Sequence, residues 1–231
     1  MGILATTNVS EAFAYNGDMQ CYVSNILKFR YGILCHDYHY ALNLPSFGYG
    51  GGMFLFLALI TFPITFLTNN EQLILIIVRC TNVFALLGTV YILNLIVNKY
   101  TNKDNKNFHL YVGLISILPS TLLLITRIHP EIFQLFWFCT SIFLLMEWIE
   151  KKGKKYLIGS AITSGIMVGC KVSGFIFLIF HFIIIITAKK ELKKKLTDLI
   201  LWGIIFCPIM FIFVRPEILL SPRNGLGIVN K

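Results

Sequence analysis

Apolar residues form six long runs along the chain, separated by short polar stretches. These runs cover residues 49–68, 74–97, 109–127, 132–149, 157–187 and 198–214. Each is continuously apolar, without the alternation of a half-exposed strand. A helix needs about 20 apolar residues to cross the roughly 30 Å hydrocarbon core of a bilayer, where only helices or closed barrels satisfy the backbone. The pattern therefore predicts an all-α protein, a polytopic transmembrane helical bundle.

The fifth run, 157–187, is much longer than one crossing requires. Near its middle, Gly169 and Gly174 flank Lys171. Glycines weaken a helix, and a lysine strongly resists the centre of the bilayer. We therefore expect this run to go out and back, with Lys171 at the apex.

The first run does not show by itself whether it crosses. The run 49–68 contains Pro63, its ends carry no Lys or Arg, and the stretch 47–52 is rich in glycine and aromatic residues. We favour an interfacial or re-entrant segment. The sequence then divides into an outer loop with an amphipathic interfacial helix, residues 1–48, and a transmembrane helical domain, residues 49–231.

Lysines between the apolar runs account for the formal net charge of +9. They cluster around residues 99–106, 151–155 and 189–195. Short loops rich in Lys and Arg stay on the cytoplasmic side of a membrane, so the charge reports orientation and not a nucleic-acid partner. The pattern predicts a multi-pass integral membrane protein, in the plasma membrane of a bacterium or archaeon, with its other polar residues facing outward.

Asp18 is the first candidate for chemistry. Apolar residues at helical spacing follow it, and they predict an amphipathic helix lying flat on the membrane surface: Met19, Tyr22, Val23, Ile26 and Leu27. Asp18 stands where an N-cap belongs. A carboxylate at this boundary is also suited to act as general base toward an acceptor hydroxyl, and the two roles are compatible.

Cationic residues at the outer ends of the runs form a second candidate group. Arg127, Lys171, Arg215 and Arg223 suit the phosphate of a lipid head group, although residues that merely end helices give the same pattern. Lys171 stands out because it interrupts an apolar run. Arg79 and Asn82, one helical turn apart, are interpreted as marking the outer end of the second run and not a buried ion site.

His36, Asp37 and His39 lie close together in a third candidate group. A metal site needs further ligands from elsewhere in the chain, so we favour a solvated or substrate-lining loop. A divalent metal is possible but not indicated, and the cofactor is unknown.

The order of these motifs resembles a known family. It runs from an acidic residue starting an amphipathic helix, through an aromatic segment with a proline, to Val78–Val90, then His129-Pro130-Glu131, then Gly165–Gly174. This order is similar to that of membrane-embedded GT-C-class glycosyltransferases, which include dolichyl-phosphate-mannose protein mannosyltransferases and bacterial lipid A aminoarabinose transferases. The resemblance covers nearly the whole chain and lies mostly in small and apolar residues.

The resemblance implies a sugar donor linked to a polyprenyl or dolichyl phosphate, and an acceptor that is a glycan, a lipid or a protein. It implies Asp18 as the catalytic base and places Lys171 and Arg215 near the donor phosphate. The other polar residues of the outer face are substrate-binding candidates: Arg127, His129 and Glu131.

The chain also departs from the family pattern. Family members carry a transmembrane helix before the acidic loop and further helices after the last run, so we expect a fragment that lacks both. Many members have paired acidic residues where Met19 follows Asp18. Two other functions stay open: a transporter or channel, for which no internal repeat is visible, and a non-catalytic, truncated membrane subunit.

Overall fold

The computed structural model describes residues 17–44, 51–68, 70–100, 129–151, 153–188 and 191–220. Within these ranges the chain forms helices and no β-strand, which confirms the predicted all-α class. The α-helices are α1 (Gly17–Leu34), α2 (Tyr38–Leu42), α3 (Gly51–Leu67), α4 (Glu71–Tyr100), α5 (Pro130–Lys151), α6 (Lys154–Cys170), α7 (Leu178–Thr187) and α8 (Leu192–Val214). Two 3-10 helices are Val172–Phe177 and Pro216–Leu219.

Three of the described helices, α4, α5 and α8, are long and apolar enough to cross a membrane. The helix α3 and the segment Val172–Thr187 are apolar but shorter. The exposed face of α7 is covered by large apolar side chains: Ile179, Phe180, Phe182, Ile183 and Ile186. A contiguous apolar surface of this kind fits a lipid surrounding.

The helices pack as two compact units. The first holds α1, α2, α4, α3 from Phe54 onward and α5 as far as Phe133. The second holds residues 43–53 and the chain from Gln134 onward. The predicted regions 1–48 and 49–231 concern placement in the membrane, which this packing does not test, so they stay a prediction.

In the first unit, the apolar stripe of α1 packs on α3. The ring of Tyr22 lies 5.0 Å from that of Phe54, and the ring of Phe29 lies 6.2 Å from that of Phe62. Residue numbers rise together in both helices, so α1 and α3 run parallel. The stripe predicted to rest on lipid is therefore covered by protein, because α3 offers it an apolar partner.

In the second unit, α6 and α8 run parallel in close contact. Trp202 Nε1 donates to Ser160 Oγ at 3.4 Å, and further along both helices Gly165 faces Ile209. A Cβ added to Gly165 would lie 2.7 Å from Ile209 Cγ2, closer than real side chains approach. Glycine therefore permits the two backbones to come this near.

The helix α7 runs against α8. The ring of Phe182 lies 5.9 Å from that of Trp202, and Lys195 Nζ donates to the carbonyl of Ile186 at 2.6 Å, so residue numbers run in opposite directions. The chain reverses between α6 and α7, where Lys171 has extended backbone angles of φ −154 and ψ 129. This confirms the predicted turn of the fifth apolar run at Lys171.

The helices of the second unit run in two opposite directions, so the lysine-rich helix ends lie at the same end of the unit. The helix α5 runs parallel to α7, since Gln134 contacts Lys171 and Ser141 contacts His181. The starts of α6 and α8 therefore lie with the ends of α5 and α7. Six described lysines gather at this lysine end: Lys151, Lys154, Lys155, Lys193, Lys194 and Lys195.

Replacing Gly165 by alanine should destabilise the second unit. The new methyl group would lie within 3.0 Å of the backbone nitrogen of Met210 as well as against Ile209, so the helices must separate. We expect the free energy of unfolding to fall by about 1–3 kcal/mol, measured by thermal unfolding in detergent.

Gly203→Ala is the matched control for Gly165→Ala. It lies within α8, and nothing stands within 4 Å of an added Cβ. This change should be neutral or stabilise by about 0.5–1 kcal/mol, because alanine favours a helix. Equal effects of the two substitutions would contradict the close approach of α6 and α8.

Candidate functional site

Lys171 follows the last residue of α6 and Arg215 follows the last residue of α8, at the same end of the second unit. Each lies two residues beyond the point where Gly169 meets Phe213, and a Cβ on Gly169 would overlap Phe213. Because α6 and α8 run parallel, the two cationic residues leave their helices side by side, opposite the lysine end. The structure thus puts at the same end of the second unit the two residues that the resemblance places near a phosphate.

The backbone of Lys171 is held by a residue that sequence reasoning missed. Gln134 Nε2 donates to the Lys171 carbonyl at 2.9 Å, and the Gly174 N–H donates to the same oxygen at 2.9 Å. Gln134 is only 4% exposed. A Cβ on Gly174 would lie 2.7 Å from Gln134 Nε2, so glycine makes room for the amide. The signal in the sequence was a glutamine near the start of an apolar run.

Arg215 ends α8. Its N–H donates to the carbonyl of Phe211 at 2.9 Å, and its guanidinium lies 3.9 Å from Glu217 Oε1. The Arg215 side chain is 43% exposed, and ion pairs near a surface contribute little free energy. The start of α3 closes the same end, where a Cβ on Gly51 would lie 2.5 Å from Pro216 Cδ.

His129 and Glu131 form an ion pair at the start of α5, in the first unit. His129 Nδ1 lies 3.4 Å from Glu131 Oε2. Pro130 begins the helix and Glu131 stands in its first turn, where the helix dipole favours a carboxylate. Helix initiation accounts for these residues, and substrate binding stays a prediction. Arg127 and Arg223 lie outside the described residues.

Asp18 belongs to the first turn of α1. The helix begins at Gly17, so Asp18 is its second residue and the predicted N-cap position lies inside the helix. The predicted helix is therefore present, with its start shifted by a residue or two.

The loop with His36, Asp37 and His39 is a helix-capping turn. Asp37 Oδ1 accepts from the backbone N–H of Tyr40 at 2.9 Å, and His36 has a positive φ of 57. His36 Nδ1 lies 3.4 Å from the hydroxyl of Tyr38. In the part of the chain that the structure describes, no three His, Cys, Asp or Glu residues form a metal-binding group.

Arg79 and Asn82 do not lie at the outer end of α4, so that interpretation was wrong. Arg79 is 8% exposed and Asn82 is fully buried. Arg79 stands eight residues beyond Glu71, about 12 Å along the helix at 1.5 Å per residue. Both side chains face the interior of the first unit, since both are buried there.

Ser141 and His181 form a buried polar pair that the sequence analysis did not single out. His181 Nε2 lies 2.6 Å from Ser141 Oγ, and His181 Nδ1 lies 3.1 Å from the Phe177 carbonyl. Because that carbonyl only accepts, Nδ1 carries the proton and Nε2 is an acceptor. The single hydroxyl hydrogen of Ser141 lies within reach of both Nε2 and the Phe138 carbonyl, which is 2.8 Å from Ser141 Oγ. The signal in the sequence was a lone ionisable residue between Val172 and Ala188.

Trp202 extends this pair across the second unit. Its ring lies 5.7 Å from the ring of His181, and its Nε1–H donates to Ser160 Oγ. The ring also stacks on Phe206, with 4.8 Å between centroids. Polar contacts and rings thus join α5, α7, α8 and α6 in one layer through the apolar interior.

No protein-family model, curated protein or solved structure matches this chain. The likeness to GT-C-class enzymes therefore rests on the motifs of the sequence and stays a hypothesis.

Replacing Gln134 by alanine should loosen the turn at Lys171. The substitution removes one of two donors to the Lys171 carbonyl and leaves a buried space. We expect the free energy of unfolding to fall by about 1–3 kcal/mol, with faster hydrogen exchange in the 3-10 helix Val172–Phe177. Gln72→Ala, at an exposed position in the first turn of α4, should change stability by less than about 0.5 kcal/mol. Equal losses of unfolding free energy in Gln134→Ala and Gln72→Ala would contradict the role of Gln134 in holding the turn at Lys171.

A double-mutant cycle should show coupling between Ser141 and His181. Ser141→Ala leaves the buried Nε2 of His181 without its partner, and His181→Leu removes both hydrogen bonds of the buried ring, so each should cost about 1–3 kcal/mol of unfolding free energy. The double variant should cost at least about 1 kcal/mol less than the sum, measured by chemical denaturation in detergent. Thr197→Ala, at an exposed position on α8, should be additive with Ser141→Ala. Additivity in both cycles would refute the pair.

Proposed function

We propose that this protein is a glycosyltransferase that uses a lipid-linked sugar, and that Lys171 and Arg215 hold the phosphate of its polyprenyl- or dolichyl-phosphate donor. The observation that carries the proposal is the side-by-side exit of these two residues from parallel apolar helices. A lipid phosphate presents its negative charge at head-group level above hydrocarbon, which matches cations at the ends of such helices. The order of motifs in the sequence supports the same reading.

The lysine end gives the orientation in this proposal. Loops rich in lysine stay in the cytoplasm, so the opposite end, with Lys171 and Arg215, faces outward. The protein is then a multi-pass protein of a bacterial or archaeal plasma membrane. Its partners are the membrane lipids, the lipid-linked donor and an acceptor glycan, lipid or protein.

The reaction is a direct displacement at the anomeric carbon. Asp18 accepts the proton of the acceptor hydroxyl as its oxygen attacks that carbon. The bond between the carbon and the phosphate oxygen breaks, and its electron pair leaves with the lipid phosphate. Lys171 and Arg215 stabilise the negative charge of the leaving group. The configuration at the anomeric carbon is inverted, and Arg127, His129 and Glu131 contact the substrates.

A transporter is the second candidate function, favoured by the Ser141–His181 pair. Transporters place ionisable residues deep among apolar helices, and His181 is fully buried in the second unit. A transporter moves its substrate without a covalent change. Sugar transfer by the purified protein therefore separates the two candidates.

The glycosyltransferase proposal predicts distinct effects at its two kinds of residue. In the full-length protein reconstituted with a polyprenyl-phosphate sugar, Asp18→Asn should lower kcat by about 100-fold or more, since it removes the base. Lys171→Gln and Arg215→Gln should each reduce kcat/KM for the donor by about 10-fold, because each loses a charge-assisted phosphate contact. Sugar transfer is measured with a labelled donor.

Lys194→Gln is the control, because it removes a lysine from the opposite end of the second unit. It should leave both kcat and kcat/KM unchanged. Unchanged turnover in Asp18→Asn would sink the base assignment. An equal loss in Lys194→Gln and Lys171→Gln would sink the phosphate site. Absence of transfer by the wild type, with substrate uptake that His181→Leu abolishes, would favour the transporter.

A further inference from the structure

The end of α1 and the helix α2 carry a cluster of exposed apolar and aromatic side chains, called here the aromatic corner. Its members are Tyr31, Leu34, Tyr38 and Tyr40, which are 63%, 45%, 48% and 45% exposed. A concentration of large exposed side chains marks a contact with something other than water. The corner is distinct from the residues assigned to sugar transfer.

The corner is a rigid feature of the first unit. The rings of Tyr31 and Tyr40 pack edge to face with 6.1 Å between centroids, and Asp37 caps α2 through the N–H of Tyr40. Gly32 lets α2 fold tightly back, because a Cβ there would lie 2.7 Å from Ala41 Cβ. The rings are therefore held in place before any partner arrives.

The position of the corner is fixed by α3 and α4. Since α1 and α3 run parallel and Phe29 meets Phe62, the corner lies toward the C-terminal end of α3. At that end Phe66 and Leu67 are 57% and 82% exposed. The helix α4, long and apolar enough to span a membrane, begins at Glu71 immediately afterwards. The corner thus lies at the level where a membrane-spanning helix starts.

The chemistry of the corner suits the boundary between water and hydrocarbon. A tyrosine has an apolar ring and a polar hydroxyl, and such residues concentrate at head-group level. A phenol is neutral at physiological pH, and a hydrogen bond with Cys35 raises the pKa of the Tyr31 hydroxyl further. The ammonium of Lys28 lies 5.1 Å from the ring centroid of Tyr40, within reach of a lipid phosphate above the ring.

We propose that the aromatic corner anchors the first unit in the head-group layer of the phospholipid leaflet where α4 begins. The apolar stripe of α1 is occupied by α3, so the corner and not the stripe makes the lipid contact. Tyr31, Tyr38 and Tyr40 set the depth of α1 and α2 relative to the bilayer. This assignment holds whether the protein transfers a sugar or transports a solute.

Tryptophan fluorescence in lipid vesicles tests the anchor. Tyr31→Trp and Tyr38→Trp are each reconstituted in phosphatidylcholine carrying bromine either near the glycerol backbone or near the methyl end of the acyl chain. The signal of each new residue is the difference from the parent, which contains Trp137, Trp148 and Trp202. Phe84→Trp is the matched control, because Phe84 is 71% exposed in the middle of α4.

Shallow bromine should quench the two corner tryptophans about twofold more strongly than deep bromine, because the rings lie at head-group level. Phe84→Trp should show the reverse order. Three results would overturn the anchor. Quenching by aqueous iodide but by neither bromine would put the corner in water, and stronger quenching by deep bromine would put it in the hydrocarbon. Protection from all three quenchers would mean that a protein partner or a second copy covers it.

Discussion

The contact between α6 and α8 through Gly165 and Gly169 is the constraint on which the second unit depends. With no side chain at these positions, the two backbones approach closely, as small residues allow between apolar helices that gain little from hydrophobic burial in lipid. Two helices of one chain run parallel only if the segment between them returns. The contact therefore requires α7 to run back, and the chain to turn at Lys171.

This turn explains how charge is distributed in the second unit. It sends the starts of α6 and α8 to one end, where six described lysines gather, and the residues after both helices to the other. Lys171 and Arg215 thus become neighbours although they are far apart in sequence. Gln134 and Gly174 fix the Lys171 carbonyl, so the cation leaves from a rigid backbone. A phosphate would meet two preplaced charges there, which is the physical basis of the proposed donor site.

In the first unit, the packing of neighbouring helices decides which side chains are buried, more than the hydrophobicity of each side chain does. The helix α3 is short and apolar, and it takes the stripe of α1 as its partner, which leaves the aromatic corner to face outward. The same packing buries Arg79 and Asn82 of α4, which the sequence suggested for a helix end. A polar residue in an apolar run lies either at the membrane surface or in the protein interior. Which of the two it is depends on the helices that pack around it.

The sequence by itself determined the all-α class and the break at Lys171, because continuous apolar runs and a lysine among glycines constrain any solution in lipid. Of the six predicted apolar runs, three form helices among the described residues that are able to span a membrane. The amphipathic helix after Gly17 was also predictable from its spacing. Tertiary structure alone decided what each face touches: Tyr22 on Phe54, Gln134 on Lys171, and Ser141 on His181. These contacts join residues distant in sequence, and in uniformly apolar helices no periodic signal identifies the partner, since lipid and protein accept the same side chains.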